Sequence, residues 1–178
     1  MNHAFTWLAP KYRWIAFGLL LIATLSGLAV LSIQGKELKT GSAPYGAISL
    51  QLAWSDEQAR NIIGSWKGLE GVAYSQQYYD FVFLIIYPLF LSLSVAVISE
   101  YGSGPLSTMG APLSWIVLIT MPLDAMENML ILRMLHGGQP SFSQLTTVLA
   151  TLKWALVLSA FGYWFAALPQ LISRSWVR

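Results

Sequence analysis

The stretch Asp124-x-x-Glu127-Asn128 carries the densest chemistry in this 178-residue chain. Positions i, i+3 and i+4 share one face of an α-helix. Two carboxyls and a carboxamide therefore project together from a hydrophobic run, about Leu113 to Leu135. A charge at the centre of a bilayer costs about 2.5–3.5 kcal/mol on insertion scales, so such groups persist where they face an interior and find partners. Depth names a partner. Asp124 stands about 16 Å from Leu113, and Lys153 about 16 Å from Phe142, at roughly 1.5 Å of rise per residue. In antiparallel neighbouring helices both fall near the midplane of an apolar layer about 30 Å thick. Lys153 is thus expected to pair with Glu127 or Asp124. The uncharged run Trp154–Ser173 leaves an alternative, in which the helix starts at Lys153 and the lysine sits at the interface.

Asp124 and Glu127 are the candidate acid–base pair, because a carboxyl in apolar surroundings can hold a proton and deliver it. Asn128, Lys153, Asp80 and Tyr87 are the candidate ligand-binding residues. Gln76, Asp80, Tyr87 and Ser94 lie close to one helix face, and Thr146, Lys153 and Trp164 form another stripe. Pro122 removes a helical hydrogen bond and frees the carbonyl of Leu118, and Pro88 does the same for Leu84. The blander account of the cluster is polar glue, worth about 0.6 kcal/mol per interhelical hydrogen bond. Arg133 reads as a surface-reaching side chain. His3 and His136 are too few and too peripheral for haem or metal binding, and the chain has no cysteine. Gly102, Gly104 and Gly110 make no phosphate-binding fingerprint. No metal and no cofactor is expected.

The elements that position these residues follow from composition. The chain is 56% hydrophobic and 10% charged, with mean hydropathy +0.57. Soluble domains carry about 25% charge, so an all-α integral membrane protein is expected. Ten Lys+Arg against eight Asp+Glu make no basic face for nucleic acid. Spanning helices are predicted near 13–34, 76–100, 112–136 and 143–169, in a four-transmembrane-helix bundle of one domain. The first span is too long for a signal h-region and is read as retained. In the intervening loop, 36–75, Ser55 and Gln58 mark a capping box. Ala59, Ile62, Ile63, Trp66 and Leu69 follow at helical spacing, predicting an amphipathic helix near 56–67 on the outer membrane surface. Ile48, Leu50, Leu52 and Trp54 alternate with Ser49, Gln51 and Ala53, which reads as a short strand or extended segment. The loop is a cap over the bundle end or, alternatively, a lid. Lys11, Arg13, Arg174 and Arg178 place both termini in the cytoplasm by the positive-inside rule. Trp14, Trp115, Tyr163 and Trp164 read as an aromatic belt.

Trp54-Ser55 with its helix, Tyr79-Asp80-Phe81 through Tyr87, and Asp124-x-x-Glu127-Asn128 together resemble a group of small bacterial four-helix membrane proteins without an assigned activity. The resemblance implies a bacterial inner-membrane location. The plan is also similar, in architecture alone, to the EXPERA group of sterol isomerases and ligand receptors. Three functions stay open: binding or acid–base processing of a small amphipathic or lipid-like molecule; proton- or ion-coupled transport as a homo-oligomer; and an accessory subunit meeting a membrane-protein partner. Membrane lipids are the expected surroundings in each case.

Overall fold

A computed structural model describes residues 2–137 and 142–175, with the side chains of 171–175 left out. Among the described residues the chain is 79% helix with no strand. The helices are α1 Pro10–Gln34, α2 Ala47–Gln51, α3 Asp56–Ser65, α4 Glu70–Tyr101, α5 Pro105–Val117, α6 Thr120–Leu135 and α7 Ser143–Ser175. Four helical stretches are long and apolar enough to cross a membrane: Pro10–Gln34, Glu70–Tyr101, Pro105–Leu135 and Ser143–Gln170.

The third stretch is broken. Helix α5 ends at Val117 and α6 begins at Thr120. Pro122 cannot donate to the Leu118 carbonyl, and its ring crowds that oxygen. The chain responds with tighter i−3 bonds, Leu118 N to Trp115 O at 3.1 Å and Ile119 N to Ile116 O at 3.0 Å. Thr120 Oγ1 donates to Val117 O at 2.7 Å. Pro88 leaves α4 continuous.

Two compact units divide the chain, one of residues 1–24, 86–120 and 154–178, the other of residues 25–85 and 121–153. In the first, two apolar clusters form the core. One gathers Phe90, Leu91, Val117, Val157 and Tyr163, and the other Ala4, Phe5, Leu93 and Val97. Tyr163 is buried rather than part of a belt, and its hydroxyl donates to Leu106 O at 3.0 Å. Gly110 lets Tyr163 and Ser99 approach so closely that a Cβ there would overlap both. Trp14 and Trp115 are exposed, as a belt requires. Arg178 lies outside the described residues.

The second unit carries the loop as a packed cap. Leu38, Leu50, Ala59, Ile62 and Trp66 bury against Ala73 of α4 and Ile131 and Met134 of α6. Ser55 caps α3, accepting from Gln58 N at 3.2 Å. Gln58 Oε1 reaches back past the cap to accept from Trp54 N at 3.2 Å. Trp66 Nε1 donates to Leu38 O at 2.8 Å, Ser143 Oγ to Asp56 Oδ1 at 2.9 Å, and Thr147 Oγ1 to Ala53 O at 3.1 Å. Residues 47–51 form a helix, not the strand or extended segment expected from alternation. The apolar face of α3 is taken up by this core, so it does not lie free for a membrane surface.

Candidate functional site

The ionic cluster lies wholly within the second unit. Lys153 stands ten residues into α7 rather than at its start. Its Nζ donates to Asp124 Oδ1 at 2.7 Å and lies 2.8 Å from Glu127 Oε2. The side chains of Lys153, Asp124 and Glu127 are 6%, 2% and 0% exposed. Lys153 therefore engages both expected acids, bridging α7 to two positions one turn apart on α6.

Asp80 of α4 is half-buried and faces Asp124, Lys153 and Asn128. Gln77, one turn before it, donates its Nε2 to Asn128 Oδ1. The structure thus gathers Asp80, Asp124, Glu127, Asn128 and Lys153. Tyr87 is half-buried and packs against the apolar cluster of Phe90 and Val157. The polar stripe expected on α4 is off by one residue. Gln76 turns instead toward α1, its Nε2 donating to Leu31 O at 3.5 Å. Gln77 went unnoticed, although its i, i+3 spacing to Asp80 was a usable signal. Thr146 is spent on its own helix, donating to Phe142 O at 2.8 Å. Arg133 is exposed as expected and lies over the Phe142 ring. His136 is exposed, bonded to Leu132 O and packed at a tilt against the Tyr74 ring.

Satisfaction is incomplete in this cluster. Glu127 Oε1 is buried without a hydrogen-bond partner, while Asn128 lies within reach of the Asp80 carboxyl. Glu127 Oε2 is held by the Lys153 ammonium at 2.8 Å. Buried polar atoms almost always find partners, and exceptions mark strain, function or bound water. Three carboxyl groups also face a single ammonium. No group of three or more His, Cys, Asp or Glu suited to a metal ion occurs among the described residues.

A second ionic cluster, which the sequence did not announce, lies in the first unit. His3 is 4% exposed rather than peripheral. Its Nε2 lies 2.9 Å from Glu100 Oε1, and its Nδ1 accepts from Phe5 N at 3.1 Å. Nδ1 as acceptor assigns the proton to Nε2, which donates to Glu100. Arg13 is 7% exposed, in the first turns of α1 rather than on a solvated tail. Its guanidinium donates to Glu100 and to the carbonyls of Phe5, Leu8 and Thr6.

No family model, curated protein or solved structure matches this chain.

Proposed function

We propose that this chain is a multi-pass membrane protein whose Asp80–Asp124–Glu127–Asn128–Lys153 cluster binds the polar end of a small amphipathic molecule. Glu127 and Asp124 serve as its acid–base pair. The observation that carries this reading is Glu127 itself, a fully buried carboxylate with an oxygen that no protein group satisfies. Leaving a buried polar atom unsatisfied costs about 1–3 kcal/mol, more on a charged group, even though Lys153 neutralises the other oxygen. A bound hydroxyl or amine head would supply the missing donor. With three carboxyls facing one ammonium, a neutral or cationic head fits and an anionic one is repelled.

Four apolar helical stretches support membrane insertion. A bacterial inner-membrane location and cytoplasmic termini are part of this proposal, the latter supported by Lys11, Arg174 and Arg178, since Arg13 is spent on Glu100. An accessory subunit that meets its partner through this cluster would need it on an exterior face, and the near-complete burial of Glu127 and Asn128 argues against that. Coupled transport would need Lys153 free to change partners, and two carboxylates hold it.

The test uses a C12 series (dodecylamine, dodecanol and dodecanoate) with the full-length protein in lipid nanodiscs. The amine and the alcohol are expected to raise the melting temperature and the carboxylate to leave it unchanged. A ligand at about 100 times its Kd stabilises by about 2.7 kcal/mol. Glu127→Gln and Asp124→Asn, which keep shape, should fold and lose the shift. Equal shifts in wild type and both variants would overturn the site.

A further inference from the structure

The loop segment around α2 is apolar on both faces: Leu50 and Ala53 join the core, yet large apolar side chains also point outward. Ser49 and Gln51 are buried, whereas Tyr45, Ile48, Leu52 and Trp54 are 69%, 42%, 45% and 59% exposed. Ser49 turns inward to accept from Tyr45 N at 3.0 Å. Ile48 and Leu52 are one turn apart and share a face. A water-facing loop would present polar side chains on its outer face, as α3 does. It buries Ala59 and Ile62 and exposes Glu57, Arg60 and Asn61.

The position of α2 says what covers the apolar face. A Cβ at Gly46 would stand 3.0 Å from Gly35 O and 3.7 Å from Lys39 Cγ, so the segment abuts the end of α1. Along α1 in this unit Leu25, Leu28, Val30 and Ile33 are all exposed. The apolar exterior of that helix thus continues into Tyr45, Ile48, Leu52 and Trp54, where the chain leaves α1. Tyr and Trp are the residues favoured at the boundary between acyl chains and headgroups. Lys36 and Lys39, exposed in the intervening turn with Glu37, place cations at the level of lipid phosphates.

We infer that residues 45–54 are an interfacial lipid anchor, with Tyr45, Ile48, Leu52 and Trp54 seated in the headgroup–acyl boundary. This rests on the membrane reading proposed above. It also reassigns the membrane contact of the loop: α2 faces lipid and α3 faces water.

The chain has no cysteine, so single cysteines can carry nitroxide labels without background. Labels at Leu25, Ile48, Leu52 and Arg60 are compared in the full-length protein, in nanodiscs of phosphatidylcholine and phosphatidylglycerol. Collision rates with oxygen and with a water-soluble nickel chelate report depth. Leu25, Ile48 and Leu52 are expected to favour oxygen, and Arg60 to favour nickel by several-fold. Ile48 and Leu52 matching Arg60 while Leu25 stays oxygen-rich would overturn the anchor and leave the membrane reading standing. Nickel access at Leu25 itself would overturn both.

Discussion

The two ionic clusters of this chain differ in how completely they are satisfied. At His3–Arg13–Glu100, donors outnumber what one carboxylate needs, and backbone carbonyls absorb the surplus. Each ring nitrogen of His3 has its own partner. At Lys153–Asp124–Glu127, acceptors outnumber donors, and a carboxylate oxygen is left bare. A saturated cluster has nothing to offer a newcomer and works as a clasp, holding the segment before α1 against the end of α4. An unsaturated one, buried at a cost, is the arrangement expected of a site. Burial sharpens the contrast: Glu100 is 33% exposed, while Glu127 is closed off entirely.

The largest effect should come from Lys153→Met. It leaves two buried carboxylates without their cation, and breaking a buried pair costs about 3–5 kcal/mol. Thermal unfolding in detergent should show a large drop in melting temperature. A variant as stable as wild type would erase the contrast with the clasp.

Much of this was legible beforehand, and the reason is locality. Charge-free runs of spanning length mark the long helices without any knowledge of contacts. Asp124, Glu127 and Asn128 share a face by spacing alone, and a shared depth was enough to join Lys153 to them. Ser55 and Gln58 announced α3 because a cap is written in adjacent residues. What escaped lies beyond such patterns. Gln77 was displaced by Gln76, and one residue turns a helix by about 100°, enough to send a side chain to another neighbour. Residues 48–54 alternate over too short a window to separate a helical period from an extended one. The clasp joins positions 3, 13 and 100, and no spacing rule connects them. Tyr163 looks in sequence like a belt residue, and only packing assigned it to the core.

Arg13→Met should have the next largest effect. It removes several charge-assisted donors at once, and hydrogen bonds to charged groups contribute about 1.5–3 kcal/mol each. Glu100 keeps its His3 contact and partial hydration, so a net loss of about 2 kcal/mol is expected. Amide exchange should accelerate at residues 4–8, which Arg13 ties through their carbonyls, and stay unchanged in α3. Uniform acceleration through α3 would mean that the clasp stabilises the whole chain rather than its own segment.

Glu100→Gln should have the smallest effect and gives the cleanest check on the difference in burial. The carboxamide keeps an acceptor oxygen for His3 and Arg13, so what it deletes is charge. An ion pair with one partner a third exposed is screened by water and contributes about 1 kcal/mol or less. Added salt should shrink even that, since the Debye length falls from about 10 Å at 0.1 M to about 3 Å at 1 M. The corresponding change at the other cluster, Glu127→Gln, deletes charge where solvent ions cannot reach, so its effect on melting should not depend on salt. Unfolding of both variants and wild type at low and high salt separates the two cases. If the Glu100 effect persisted undiminished in 1 M salt while the Glu127 effect faded, the clasp would be the closed cluster and the site the open one, and the contrast drawn from their burial would be reversed.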